Sequence, residues 1–236
     1  MSNNYFKFKQ FTIFQDGCAM KVGTDGCLLG GWFDVSGSRN ILDIGCGSGL
    51  ISLMAAQRCD AAVTGIEIDS EASLQAIENV NNSLWRERIR IINCDMLSYE
   101  ADALYDTIVS NPPYFVNSLK CDDTSRTLAR HSDSLSSSEF FARCSSLSTD
   151  EAKVSIIIPC DIMDEWQRSA TESGFYAKRI TFVKTTPKKQ PKRVMIEFAK
   201  HSCGPAVTDT LVLENSPGEY SEEAKRILRD FYLKIE

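Results

Sequence analysis

The sequence predicts an α/β fold, an open and mostly parallel seven-stranded sheet with helices on both faces. Three observations predict it. From Asn40 onward, short apolar runs alternate with segments of helical periodicity, as in strands buried on both faces and joined by crossover helices. A glycine-rich run, Gly45-Cys46-Gly47-Ser48-Gly49, stands where the first such strand meets the first such helix. The 236 residues, 43% apolar and 25% charged, suffice for one full core and show no bias towards disorder. One domain is therefore expected over 1–236, with an N-terminal hairpin and helix extension (1–36), a core (37–200) and a C-terminal extension (201–236).

Phe6 to Phe14 alternates apolar and polar residues with slips, and Asp16-Gly17 follows before Cys18 to Val22, which reads as a β-hairpin. Gly23-Thr24-Asp25-Gly26 supplies a turn and a helix cap ahead of a short helix over Cys27 to Phe33, weakened by Gly30 and Gly31. Strands are expected near 40–44, 62–68, 89–93, 105–110, 153–158, 177–184 and 193–199, the last two hairpin-like. Helices are expected near 48–58, 70–84, 137–147 and 161–172. The connection from Asn111 to about Ser136 is long and polar, which marks a functional or mobile loop. A strand over Val207 to Leu213, a Pro217-Gly218 turn and an amphipathic helix over Ser221 to Leu233 follow. Leu228 and Phe231 share one face of that helix and read as packing.

Composition narrows the function classes. Apolar runs such as Val154 to Pro159 are far too short to span a bilayer, and Met1 to Gln10 has no signal-type apolar region. The nine cysteines are scattered and never spaced C-x-x-C, so reduced thiols in a cytoplasm are expected, with no metal site and no disulfide framework. A net charge of -6 gives no global attraction to nucleic acid, so any such binding must rest on a local basic patch.

The run Ile41-Leu42-Asp43-Ile44-Gly45-Cys46-Gly47-Ser48-Gly49 ends a strand and opens a helix, where glycines let the backbone approach a nucleotide-type cofactor. A dinucleotide fingerprint would place a third glycine at Leu50, and Asp43 would repel a pyrophosphate. The ammonium end of S-adenosylmethionine would attract it instead. Glu67, closing the second strand, stands where a carboxylate accepts from ribose hydroxyls, and Asp69 reads as the cap of the next helix. At the end of the third strand, Asp95 is placed to accept from the cofactor's adenine amine, with Met96 as an apolar wall. Asp25 either closes over the cofactor or caps its helix.

The fourth strand runs straight into Asn111-Pro112-Pro113-Tyr114. Two prolines cannot extend a strand; they fix φ and present the Pro112 carbonyl and the Asn111 side chain to the cleft. An exocyclic amine conjugated to a ring is a poor nucleophile because its lone pair is delocalised. Two acceptors bonded to its hydrogens favour the pyramidal geometry in which that lone pair attacks a methyl group in line. Tyr114 would stack on a planar substrate. Alone, the tetrad would read as a strand-terminating turn; its place after the carboxylates favours catalysis.

Asp43-x-Gly45-x-Gly47-x-Gly49 with Asn111-Pro112-Pro113-Tyr114 resembles the class I amino-methyltransferases, which cover adenine N6, guanine N2 and glutamine N5 enzymes. The flanks narrow the resemblance: Phe6-Lys7-Phe8-Lys9-Gln10-Phe11, Met20-Lys21-Val22-Gly23-Thr24-Asp25-Gly26, Ala129-Arg130-His131, and Tyr220-Ser221-x-Glu223 with Asp230-Phe231-Tyr232-Leu233. Together they look like the bacterial tRNA1(Val) (adenine(37)-N6)-methyltransferase family, from Phe6 to Leu233. The resemblance implies a Rossmann-like methyltransferase sheet, S-adenosyl-L-methionine as cofactor, and as substrate the N6 amine of the adenosine beside the anticodon of a valine tRNA. Cys46 departs from the loop pattern, a common and harmless variant. A protein-glutamine methyltransferase of the same fold and a catalytically silent RNA-binding module are the alternatives; no added N-terminal recognition domain argues against the first, and the intact tetrad against the second.

Lys184 to Arg193 carries five basic residues and no acid between the last two strands of the sheet. Lys188, Lys189, Lys192 and Arg193 are accordingly expected to meet phosphates, although lysines and prolines also protect a sheet edge from pairing. Arg126, Arg130 and His131 lie in the long loop after the tetrad, where they could hold phosphates flanking an extruded base; Pro113 and Phe115 complete the expected substrate contacts.

Overall fold

The computed structural model describes residues 3–18, 20–113, 135–202 and 204–235. A small antiparallel hairpin comes first, β1 (Tyr5–Lys7) and β2 (Thr12–Phe14), followed by helix α1 (Thr24–Trp32). The central sheet then begins: β3 (Asn40–Ile44), α2 (Leu50–Arg58), β4 (Ala62–Glu67), α3 (Ser70–Asn81), β5 (Ile89–Asn93) and β6 (Tyr105–Ser110). Beyond the undescribed segment come α4 (Ser137–Leu147), β7 (Ser148–Pro159), a 3-10 turn at Cys160–Ile162, α5 (Met163–Glu172), β8 (Tyr176–Lys184) and β9 (Arg193–Ala199). The chain continues through β10 (Val207–Val212), the short pair β11 (Glu214–Ser216) and β12 (Glu219–Tyr220), and α6 (Glu222–Leu228).

The sheet order is β10-β8-β9-β7-β6-β3-β4-β5. The seven expected strands are present, and an eighth, β10, joins the edge from the C-terminal extension, parallel to β8. Only β9 runs against its neighbours, so every other strand of the sheet ends at one common edge. The order reverses between β3 and β6, which opens a crevice at the carboxyl ends of those two strands, where α/β sheets bind ligands.

Side-chain alternation makes two cores. On one face Leu28 and Leu29 of α1, Leu53 and Met54 of α2 and Leu228 of α6 cover Ile41, Val63 and Val109. On the other, Phe140 and Phe141 of α4 and Trp166 of α5 cover Leu42, Ile108, Val154 and Ile156. Gly31, which weakens α1 as a helix, is explained by close packing: a Cβ there would lie 2.5 Å from the Ile227 carbonyl oxygen.

The N-terminal hairpin differs from expectation. Its strands pair Tyr5 with Phe14 and Lys7 with Thr12, so the reversal falls at Phe8 to Phe11 and not at Asp16-Gly17. The reason is burial: Phe8 and Phe11 stack at 4.6 Å inside the core, and the Phe8 N–H bonds the Phe11 carbonyl at 2.9 Å. Asp16-Gly17 instead steers the chain over α3, where the Gly17 N–H bonds Gln75 Oε1 at 3.3 Å. The hairpin is also held by residues far along the chain. Lys9 donates its N–H to the Phe231 carbonyl (2.8 Å) and its ammonium to the carbonyls of Arg229 (2.6 Å) and Ile235 (2.8 Å). Among the described residues, no helix is long and apolar enough to cross a membrane.

Candidate active site

The expected carboxylates fall on adjacent strands in the expected order. In register, Asp43 of β3 stands beside Gly65 of β4, and Glu67 at the end of β4 beside Asn93 of β5. Asp43 is fully buried; Oδ2 accepts from Ser52 Oγ of α2 at 2.7 Å, while Oδ1 has no hydrogen-bond partner. Burial pushes its carboxyl up to about 7, against the pull of the Ser52 bond.

Between Asp43 and α2 the loop turns with Gly45, Gly47 and Gly49 at φ 68°, 54° and 81°, a region open to glycine at no steric cost. The Gly45 and Cys46 N–H groups bond the Ile66 carbonyl (2.9 and 3.1 Å), and the Gly49 N–H bonds the Cys46 carbonyl at 2.8 Å. Glu67 braces the same loop: Oε2 accepts from the Gly47 N–H at 2.8 Å and Oε1 from the Asp69 N–H at 2.9 Å. Asp69 caps α3 through the Ala72 N–H at 2.8 Å, as expected. Burial, then the Asp43 and Glu67 carboxylates, raise the Cys46 thiol well above its ordinary value, so it stays protonated.

Asp95 is exposed, its Oδ1 accepting from the Leu97 N–H at 2.9 Å, and Met96 is buried in the second core. Arg143 of α4 holds this loop, donating from Nε to the Met96 carbonyl at 3.1 Å and from a terminal nitrogen to the Tyr99 carbonyl.

The tetrad begins beside the glycine loop. Ser110 pairs with Ile44 across β6 and β3, and Ser110 Oγ donates to the Ile44 carbonyl at 2.8 Å, which fixes the end of β6 against the residue before Gly45. Asn111 follows, half-buried, and its Oδ1 is shielded from water without accepting a hydrogen bond. Pro112 is buried and Pro113 exposed. Tyr114, Phe115, Arg126, Arg130 and His131 lie outside the described residues.

The basic segment sits at the same edge. β8 ends there and β9 starts there, with Arg193 paired to Pro159 at the end of β7. Lys188, Lys189 and Lys192 are exposed, and none forms an ion pair with a described residue. Arg193 and Asp25 were expected to meet substrate and cofactor respectively; they meet each other, Arg193 Nε donating to Asp25 Oδ2 at 2.8 Å. Nor does Asp25 cap α1, whose N-cap is Gly23 without a side-chain bond. A carboxylate in the first turn of α1 and a guanidinium at the sheet edge draw together because both are partly desolvated.

Sequence reasoning passed over Ser52, Asn79, Ser110 and Arg143, which hold the site's backbone and carboxylates. Asn79 left a signal: a polar residue three positions after Ala76, on the apolar face of α3.

A family model described as the Methyltransferase small domain matches residues 19–137. The chain is 46% identical over 235 residues to a tRNA1(Val) (adenine(37)-N6)-methyltransferase of Phocaeicola vulgatus, and 45% identical over 237 residues to one of Bacteroides thetaiotaomicron; each match covers 100% of both chains. Among solved structures, a predicted O-methyltransferase from Agrobacterium tumefaciens superposes with a TM-score of 0.69 over 88% of this chain and 96% of its own, at 18% identity, a likeness of fold.

Proposed function

The chain belongs to the tRNA1(Val) (adenine(37)-N6)-methyltransferase family, and we propose that it methylates the N6 amine of adenosine 37 in that tRNA with S-adenosyl-L-methionine as donor, the tetrad at Asn111 receiving the base. The observation that carries the reading is the buried Asn111 Oδ1, an acceptor without a partner directly after the strand beside the glycine loop. A buried acceptor left unbonded costs ~1–3 kcal/mol, and an amine hydrogen delivered to it removes that cost.

The donor fits the residues present. Asp43, with a buried and unbonded oxygen, faces a cationic ligand favourably. Glu67 spends one lone pair of each oxygen on the loop and retains others for ribose hydroxyls. Asp95 and Met96 take the adenine end. When bound, S-adenosylmethionine supplies a methyl group activated by its sulfonium. The Asn111 amide oxygen and the Pro112 carbonyl hold the two amine hydrogens, so that the nitrogen lone pair is freed from the ring. No residue need act as a base beforehand, because the nitrogen becomes acidic only once methylated. Tyr114 stacks on the extruded base, and Pro113 and Phe115 complete the substrate contacts. Lys188, Lys189 and Lys192, with Arg126, Arg130 and His131, meet the backbone phosphates, while Arg193 and Asp25 secure the rim.

Incubation with methyl-labelled donor and either total tRNA or total protein tests the assignment. Label is expected in tRNA, and nucleoside mass spectrometry should find it as N6-methyladenosine; label confined to protein would overturn the RNA substrate.

A further inference from the structure

Asn79 lies on the buried face of α3 with 1% of its surface exposed. Its side chain makes three hydrogen bonds. Nδ2 donates to the carbonyls of Ser48 (2.9 Å) and Phe14 (2.8 Å), and Oδ1 accepts from the Phe14 N–H (2.8 Å). Two carbonyls and one N–H around one amide fix its orientation, since the flipped amide would set its oxygen against both carbonyl oxygens.

We propose that Asn79 is a positioning residue for the cofactor: it holds the glycine loop in its ligand-ready shape and makes the N-terminal hairpin a working part of that site. The proposal rests on the reading of Gly45–Gly49 as the cofactor loop. Three residues at positive φ give this loop little preference of its own, so its shape comes from the groups that bond it. Glu67 restrains the Gly47 N–H, and the Cys46 carbonyl restrains the Gly49 N–H. Asn79 restrains the carbonyl of Ser48, the residue between them. α3 meets the loop closely here, for a Cβ on Gly49 would stand 3.4 Å from Ala76 Cβ.

Without the bond to Ser48, ordering of the Ser48–Gly49 peptide falls to the ligand and is subtracted from its affinity. The other two bonds reach β2, so one side chain couples hairpin and loop. The segment beyond β2 continues to Cys18, which is buried and whose thiol is raised first by that burial and then by the nearby Glu67 carboxylate. Loop, hairpin and the expected ribose carboxylate are thus joined through α3.

Asn79→Asp keeps the shape and the acceptor for Phe14 but opposes two carbonyls with a carboxylate. The Kd and KM for S-adenosylmethionine are expected to rise about tenfold or more, with kcat at saturating donor and KM for tRNA unchanged within about twofold. A merely structural role would lower kcat through loss of folded enzyme and leave the donor KM unchanged, and that result overturns the proposal. Should the variant not fold, hydrogen–deuterium exchange on the wild-type protein decides. Binding of S-adenosylhomocysteine should slow exchange in residues 10–18 together with residues 44–50. Protection of the loop with no change in the hairpin overturns the coupling; binding that protects neither segment overturns the site assignment beneath it.

Discussion

Asn111 and Asp43 each bury a side-chain oxygen without a hydrogen-bond partner, and both stand where β3 and β6 separate. Folding alone does not favour such oxygens, so their roles can be separated by substitution. Asn111→Ala is expected to lower kcat about a hundredfold or more while donor affinity, read by calorimetry, changes little; full turnover in that variant would remove the tetrad from the chemistry. Asp43 makes a pH prediction. Its folded value of about 7 lies above that of an unfolded aspartate, so between roughly pH 4 and pH 7 the fold holds a proton that the unfolded chain has lost. The unliganded protein therefore loses stability as pH rises through that window. A cationic ligand beside Asp43 favours the carboxylate, so donor affinity should climb from pH 6 to pH 7. The same climb in Asp43→Asn would assign it to another group. These two residues and Glu67 were legible because their types and spacing carry the chemistry locally. Asn79, Ser52 and Arg143 were not, since each gains its meaning from a partner brought near only by folding, as with Asn79 and Phe14, 65 positions apart.

Among elements, the β8–β9 connection has the most to gain from its position. Its three exposed lysines hang from the edge where β3, β4 and β6 end, on a chain of net charge -6. Lysines serving only to guard a sheet edge from pairing would be indifferent to which end of the strands they occupy. Replacing Lys188, Lys189 and Lys192 by glutamine should raise the apparent KM for tRNA and flatten the dependence of log KM on log salt, by up to about 0.7 for each phosphate no longer neutralised. Unchanged KM and slope would leave edge protection as their role. The elements of the sheet were legible to within a few residues because strand and helix periods are local properties. The N-terminal hairpin was not: an Asp-Gly pair is a strong turn signal, but burying the stacked Phe8 and Phe11 moved the reversal. Helix α6 likewise stops at Leu228, while Phe231 still reaches the core from the turn beyond it.

At the scale of the whole molecule, strand order follows from connections that sequence patterns do reveal, and the crevice between β3 and β6 follows from that order. The strand expected over Val207 to Leu213 is present as β10, but the pattern did not show that it joins the central sheet. Four of its six residues are exposed, and only its pairing with β8 makes it part of the sheet. The contact between Lys9 and the carbonyls of Arg229, Phe231 and Ile235 carries this furthest, because its partners are separated by up to 226 residues. A ribosome delivers the first of them early and the others late. The bonds of Lys9 therefore close only after the Phe231 segment has cleared the exit tunnel, whereas Asn79 of α3 is available to the hairpin far sooner.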